Sequence, residues 1–309
     1  MRRRRDAHRH RPLASPVIGM ADPDLRSDNA QMSELTVPAP AKLNLFLHVT
    51  GQRPDGYHTL ETLFVALDFG DTIRIRDRDD GAIVRLPDES AIPPESDLAV
   101  LAAKALKREA GCRRGAEIAI TKRIPLGGGL GGGSSDAATV LLALNRLWRT
   151  DLPRETLMRI GLALGADVPF FLSCEPALAK GIGEQLVPVT LPLLWVAVIA
   201  PGVEVSTASI FAAPELTRNA ASTKMEVYSE GYGRNDMQPV AAARFPAIAS
   251  ALDALGGRSR GARMTGSGGC VFAPFVSEAE AREALDARPP AMQGFVARTL
   301  ARHPLSSFA

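Results

Sequence analysis

Six of the seven residues from Gly127 to Gly133 are glycine, with only Leu130 between them, and the run passes directly into Ser134, Ser135 and Asp136. Backbone without side chains can come close to a phosphate, and the amides of a helix N-terminus offer N–H groups and the favourable end of the helix dipole to an anion. A β-branched strand pattern precedes the run and a strongly amphipathic pattern follows it, so it reads as an anion cradle and not as a linker. Ser134 and Ser135 can cap the helix, reach a phosphate or its Mg²⁺, or do both.

Several kinds of phosphate loop compete for this segment. Gly127, Gly129 and Gly132 satisfy GxGxxG, with Asp151 near the distance expected of a ribose-binding acid, which keeps a dinucleotide-dependent oxidoreductase as an alternative. Against it, Asp151 sits in a Thr-Asp-Leu-Pro turn after the helix, where a second parallel strand should end. A Walker A loop needs Gly-Lys-Ser/Thr, and no Gly-Lys pair occurs in the chain. Asp68-Phe69-Gly70 imitates the metal-binding triplet of protein kinases, but it precedes the glycines and has no His-Arg-Asp partner; it reads as a strand end.

The elements that must hold the loop follow from periodicity. Residues 35–41 read as extended and 43–51 as an alternating strand; after the turn at Pro54, Asp55 and Gly56 come strand-like runs at 60–67 and 72–76. Residues 97–110 read as an amphipathic helix opened by Ser96 or Asp97, and 117–121 as a strand. The helix after the glycines places Leu141, Leu144 and Trp148 on one face, and 155–164 forms a third helix. The second half offers a strand at 195–200, a polar loop at 218–238, a helix near 245–255 and a strand at 264–275. A helix at 277–287, opened by Ser277 with Glu280 three residues on, and a last strand at 294–300 complete it. Strands and helices mixed without strict alternation predict an α+β fold in two domains, 33–185 and 186–309, behind a disordered tail at 1–32.

Composition sets the outer limits. The chain has 309 residues, 46% hydrophobic and 23% charged, which suits about two domains of roughly 150 residues each. Its net charge of +2 owes much to seven Arg against four Asp in residues 1–31, so the remainder is nearly neutral and carries no basic face for nucleic acid. Recognisable fold signals begin at Leu35, which leaves Met20 and Met32 as alternative starts to Met1. Cys112, Cys174 and Cys270 are odd in number and far apart, which argues against a disulfide framework or zinc site and favours the cytoplasm. The apolar run 191–200 is far short of the roughly 20 residues of a membrane helix. The expected partner is thus a small molecule, with neither nucleic acid nor membrane, for a monomer or weak homodimer.

Three separated segments share one resemblance. Pro40–Leu45 (PAKLNL), residues 125–138 (PLGGGLGGGSSDAA) and 264–273 (MTGSGGCVFA) resemble, in order and spacing, the three motifs of the GHMP kinases. Residues 51–64 (GQRPDGYHTLETLF), 165–171 (GADVPFF), 201–211 (PGVEVSTASIF) and 235–241 (NDMQPVA) resemble the branch that acts on 4-diphosphocytidyl-2-C-methyl-D-erythritol. The likeness runs from about Pro38 to the last strand.

The resemblance implies a two-domain kinase of the non-mevalonate isoprenoid precursor pathway, with ATP in the N-terminal domain, Mg²⁺ on the phosphates and the substrate between the domains. Another GHMP kinase, for homoserine, mevalonate or a sugar, is the nearer alternative. It further implies Lys42 and Asp167 as the catalytic pair. ATP would lie along Pro125, Leu126, Gly127, Gly128, Gly129, Leu130, Gly131, Gly132, Gly133, Ser134 and Ser135. Substrate contacts would come from Asn44, Tyr57, His58, Thr207, Phe211, Gly266 and Gly268, with Tyr57 and Phe211 stacking on cytosine and His58 bonding its edge. By residue type alone, Lys42 reads as a solvated strand-end lysine, Asp167 as a helix-capping acid, and the glycines at 266, 268 and 269 as a tight turn at a strand entry. Ser267-Gly268-Gly269-Cys270 departs from the small-residue run common in this family.

Overall fold

The computed structural model describes residues 33–87, 92–222, 233–256 and 261–308. The N-terminal tail expected at 1–32 and residues 223–232 of the polar loop expected at 218–238 lie outside them.

Two long antiparallel strands organise the molecule: β1, Glu34–Gln52, and β2, His58–Arg78. The sequence reading divides each of them, but pairing continues across every irregularity, from Pro40 opposite Gly70 to Lys42 opposite Ala66, and from Asn44 opposite Phe64 to Leu47 opposite Thr62. In the second of these steps β1 advances by three residues and β2 by two, a bulge that changes which side chains face which side. Asp68-Phe69-Gly70, read as a strand end, lies inside β2 for the same reason.

The first sheet is completed by β3 (Ile83–Arg85), β4 (Gly115–Thr121), β5 (Ala177–Lys180) and β6 (Gln185–Pro188), in the order β3-β4-β2-β5-β6 with β1 paired to β2. A second sheet has the order β10-β7-β9-β8, from β7 (Trp195–Ala200), β8 (Arg263–Met264), β9 (Val271–Phe275) and β10 (Gln293–Arg298). The changeover between sheets falls at residues 189–194, a few residues beyond the expected division after residue 185.

β1 is buried almost continuously from Ala39 to Val49 because both faces of its sheet are covered. One face, including Ala39, Phe64, Ile73 and Ile75, packs under helices α1 (Leu98–Glu109), α2 (Gly132–Leu147), α3 (Arg154–Leu164) and α4 (Val168–Ser173). The other face, with Leu43, Leu63, Val65 and Phe69, packs against Val196, Val198, Phe272 and Phe295 of the second sheet. The far face of that sheet is covered by α6 (Gln238–Arg244), α7 (Pro246–Gly256) and α8 (Glu278–Asp286), while α5 (Thr207–Phe211) lies between β7 and α6 in the chain. The result is four layers, helix, sheet, sheet, helix, in the α+β class expected.

Local chemistry explains the ends of these elements. Asp97 accepts the N–H of Ala99 at 2.8 Å and so opens α1, and Ser277 accepts that of Glu280 at 3.3 Å and opens α8. α2 is buried along nearly its whole length, with Leu141 and Leu144 fully enclosed, so it holds the glycine loop from within the core. Truncation of either leucine costs about 2–5 kcal/mol. Helices α4, α5 and α6 are five to seven residues long, too short for the 3.6-residue period to stand out, and were not expected as helices.

Candidate active site

The glycine loop forms one wall of a cleft of about 550 Å³. Pro125, Leu126, Gly127, Gly128, Gly129, Leu130, Gly131, Gly132, Gly133 and Ser134 all line it, as do Lys42, Asn44, Asp167, Thr207, Gly266 and Ser267. Gly131 N-caps α2 without a side-chain bond, and the first backbone bond of the helix runs from Ser135 to Gly131. The amides of Gly132, Gly133 and Ser134 therefore form the open N-terminal turn facing the cleft, the arrangement that suits an anion. Ser135 differs from Ser134: it is fully buried on the packed side of α2, its Oγ has no partner, and it does not line the cleft. The hydroxyl available to a phosphate or its metal ion is that of Ser134.

The glycines on the two sides of the cleft meet backbone to backbone. Gly129 has φ +76°, and a Cβ on it would sit 2.3 Å from the carbonyl oxygen of Thr265. A Cβ on Gly269 would lie 2.9 Å from the Cα of Gly128. The turn at 266–269 is thus shaped by the first glycine loop as much as by the entry to β9. Gly268 backs onto Val205 and is not part of the cleft wall, whereas its neighbours Gly266 and Ser267 are.

Lys42 and Asp167, far apart in sequence, are brought together. Lys42 is only 2% exposed, and its Nζ lies 3.3 Å from Asp167 Oδ2, 2.5 Å from Asn44 Oδ1 and 5.2 Å from the centre of the Phe64 ring. It is not a solvated strand-end lysine. Asp167 occupies the N-cap position of α4 yet makes no capping bond, and its side chain is 34% exposed, so the carboxylate stays open to the cleft. A buried lysine beside an accessible carboxylate can offer positive charge to a transferring phosphoryl group while the carboxylate faces the reacting alcohol.

Asn44 is committed to the protein more than to a ligand. Its Oδ1 accepts from Lys42, its Nδ2 donates to Thr62 Oγ1 at 2.8 Å, and its backbone N–H donates to Thr265 Oγ1 at 3.0 Å. Beneath the loop, Lys122 bridges the buried carboxylates of Asp71 and Asp136, while Asp71 also accepts the N–H groups of Arg123 at 2.5 Å and Ile124 at 2.8 Å. Burial pushes the Asp136 carboxyl up, opposed by Lys122. Sequence reading missed Thr62, Thr265 and this charge cluster; Lys122, next to the glycine run, carried the one signal that could have pointed to it.

The aromatic residues are arranged differently from expectation. Phe211 stacks directly on His58, with ring centres 4.4 Å apart and planes 12° from parallel, while Tyr57 is 63% exposed at the β1–β2 turn. None of the three lines the main cleft, but His58 lies two residues before Leu60 on β2 and Phe211 four residues after Thr207 on α5, and both Leu60 and Thr207 do. The pair therefore continues the cleft outward along the same two elements. Thr207 Oγ1 lies 2.5 Å from Ser267 Oγ, closing α5 against the second glycine turn.

Asp151 sits in a loop at φ +48°, and β4, which precedes the glycines, pairs in parallel only with the earlier β3 and antiparallel with β2, so among the described residues no strand after α2 completes the parallel strand–helix–strand unit of a dinucleotide site. Among the described residues no group of three or more His, Cys, Asp or Glu is placed to hold a metal ion, and no helix is long and apolar enough to cross a membrane.

Residues 97–175 match the GHMP kinases N terminal domain and residues 214–291 the GHMP kinases C terminal domain. A 4-diphosphocytidyl-2-C-methyl-D-erythritol kinase from Thiobacillus denitrificans is 54% identical, covering 88% of this chain and 97% of its own. One of the same name from Cupriavidus metallidurans is 52% identical, covering 88% of this chain and 95% of its own. The fold superimposes on a crystal structure of 4-(cytidine 5'-diphospho)-2C-methyl-D-erythritol kinase with TM-score 0.75 and 33% identity, over 86% of this chain and 99% of the other. A homoserine kinase from Cytophaga hutchinsonii shares the fold alone, at TM-score 0.67 and 18% identity over 90% of this chain and 98% of its own.

Proposed function

The chain belongs to the 4-diphosphocytidyl-2-C-methyl-D-erythritol kinases of the GHMP kinase family, and from that we infer that it transfers the γ-phosphoryl group of ATP to the 2-hydroxyl of 4-diphosphocytidyl-2-C-methyl-D-erythritol. This is one step of the isoprenoid precursor pathway that the resemblance implies. The reacting groups are an alcohol that must lose a proton and a phosphoryl group whose negative charge must be stabilised.

The observation that carries the assignment of roles is the approach of Lys42 Nζ to Asp167 Oδ2 at 3.3 Å on the cleft wall. Asp167 accepts the hydroxyl proton or orients the hydroxyl, Lys42 lies beside Asp167 and draws charge from the phosphoryl oxygens, and Asn44 Oδ1 keeps Lys42 in place. The amides of Gly132, Gly133 and Ser134 receive the phosphates of ATP. Mg²⁺ fits as an ion carried in on those phosphates, since it keeps most of its waters and uses few protein ligands. Ser134 is the side chain that would complete its shell, and the ion would supply neutralisation of phosphate charge. Cys112, Cys174 and Cys270 are all free thiols, which supports the expected cytoplasmic compartment.

The test is ADP release with Mg²⁺-ATP and the cytidine compound, beside homoserine, mevalonate and galactose. Turnover confined to the cytidine compound is expected; turnover of another alcohol in its place overturns the substrate assignment. Asp167→Asn keeps the shape and removes the proton acceptor, so kcat should fall by about two orders of magnitude or more with the KM for ATP little changed. Near-normal turnover in that variant excludes the role given to Asp167.

A further inference from the structure

Arg218 lies beyond α5, in the segment that leaves the Phe211 ring, and its guanidinium is almost fully occupied. Nη2 donates to the carbonyl oxygens of Phe211 at 2.6 Å and Ala213 at 2.8 Å, Nη1 to that of Leu216 at 3.1 Å, and Nε to Nε2 of His58 at 3.2 Å. The first three bonds close the chain around the guanidinium, and the fourth reaches across to the β1–β2 hairpin. One side chain thus ties the wall built by the second half of the chain to the wall built by the first.

The chemistry of the fourth bond is directional. An arginine side chain is only ever a donor and stays protonated in proteins, so the imidazole nitrogen facing it must present a lone pair. Burial first, and the Arg218 charge second, lower the pKa of His58, which favours the neutral ring. A neutral imidazole with its lone pair on Nε2 carries its proton on Nδ1. Phe211 fixes the plane of the ring by stacking, and Nδ1 has no hydrogen-bond partner among the described residues. The edge left for a ligand is therefore a single N–H donor, held in orientation by Phe211 on one face and Arg218 at the opposite edge.

We propose that Arg218 is a positioning residue for base recognition: by holding His58 as the Nδ1–H tautomer against Phe211, it makes the outer end of the cleft accept cytosine and reject uracil. The inference rests on the cytidine substrate assigned above. Cytosine presents N3 as a ring acceptor that can receive the hydrogen bond of the Nδ1–H group. Uracil has N3–H in the same place, so donor would face donor, and a site that leaves a polar group unpaired discriminates far more strongly than one that only misses an apolar contact. Without Arg218, His58 is free to move its proton to Nε2 and to offer a lone pair at Nδ1, which suits uracil.

Two readouts on the full-length protein test this. In long-range ¹H–¹⁵N spectra the wild type should show His58 protonated at Nδ1, and Arg218→Ala should show it at Nε2 or exchanging between the two. In kinetics with the cytidine substrate and its uridine analogue, Arg218→Ala should lower the cytidine-to-uridine ratio of kcat/KM by about tenfold or more, mainly through KM for the cytidine compound, with the KM for ATP unchanged. Arg218→Lys, which keeps the charge but cannot serve His58 and three carbonyls at once, should shift the ratio the same way and stands in if the alanine variant melts too low. A wild-type His58 protonated at Nε2, or a cytidine-to-uridine ratio preserved in both variants, overturns the proposal. A wild type that turns over neither nucleotide compound overturns the substrate assignment on which it rests.

Discussion

Thr265 Oγ1 accepts the backbone N–H of Asn44 at 3.0 Å and also lies 3.4 Å from Asn44 Oδ1 and 3.5 Å from the carbonyl oxygen of Gly129. One hydroxyl in the 264–273 segment thus touches both the segment that carries Lys42 and the glycine loop. The three sequence motifs are joined at this point, and Asn44, so fixed, holds Lys42 Nζ.

Thr265→Val removes the hydroxyl at nearly constant volume and leaves the buried Asn44 amide without its acceptor. Stability should fall by about 1–3 kcal/mol, read from the shift in denaturation midpoint, with a several-fold loss of kcat as Lys42 loosens. Thr265→Ser should restore most of both. Equal stability of the valine variant and the wild type would mean that the amide finds another partner.

The two carboxylates that share Lys122 should respond unequally to neutralisation. Asp71 accepts two backbone N–H groups as well as Lys122, and Asp71→Asn turns one acceptor into a donor among donors, at a cost of about 3–5 kcal/mol. Asp136 has Lys122 for its Oδ2 and no partner for Oδ1, and burial already disfavours its charge, so Asp136→Asn should stay within about 1 kcal/mol of wild type. Urea unfolding of both variants checks the order; a larger loss at Asp136 would reverse the reading.

Much of this arrangement was legible in the sequence because it is local. The glycine run, the amphipathic period of α1 and α2, the Ser277 cap and the apolar strand at 195–200 each declare themselves within a dozen residues. What was not legible depends on residues distant in the chain. Lys42 reads as an ordinary strand lysine until α4 brings Asp167 beside it, and the family resemblance, not periodicity, joined the two. Phe211 was expected opposite Tyr57 across a base; its stack on His58, and the bond from Arg218 to that ring, join residues far apart in the chain, with Arg218 in a polar loop without pattern. Thr265 and Thr62 are small polar residues whose only signal is the partner they meet in the fold.

Among the glycines, conformation and contact separate the essential from the tolerant. Gly129→Ala adds a Cβ 2.3 Å from the Thr265 carbonyl oxygen at a residue with φ +76°, so backbone must shift as well as side chain. That variant should lose several kcal/mol, on the order of the largest point-mutant effects, and be recovered largely unfolded. Gly133→Ala places its Cβ 3.5 Å from Leu98 Cδ1, an ordinary contact, inside the first turn of α2, where alanine is the better helix former by roughly 1 kcal/mol. Its melting temperature should equal or exceed that of wild type. Parallel thermal melts decide the point, and a destabilised Gly133→Ala beside an intact Gly129→Ala would contradict the backbone contact described here.

His303 provides a pH-dependent stability with a fixed sign. Its Nδ1 accepts the N–H of Leu305 at 3.0 Å, its Nε2 is buried without a partner, and burial pushes its pKa down to about 4 from 6.5. The folded state therefore holds the neutral ring, while the unfolded chain takes up a proton below pH 6.5. Stability from this group is fully present above pH 6.5 and is lost as pH falls through the window from 6.5 to about 4, by up to about 3 kcal/mol. His303→Asn can keep the acceptor for Leu305 but cannot titrate, so its unfolding free energy should fall less steeply across that window. Other groups titrating there, including His48, whose pKa burial also lowers, act equally in both proteins and cancel in the difference. Parallel pH dependences for wild type and His303→Asn between pH 6.5 and 4 would show that the imidazole reaches solvent or a proton acceptor in the native state.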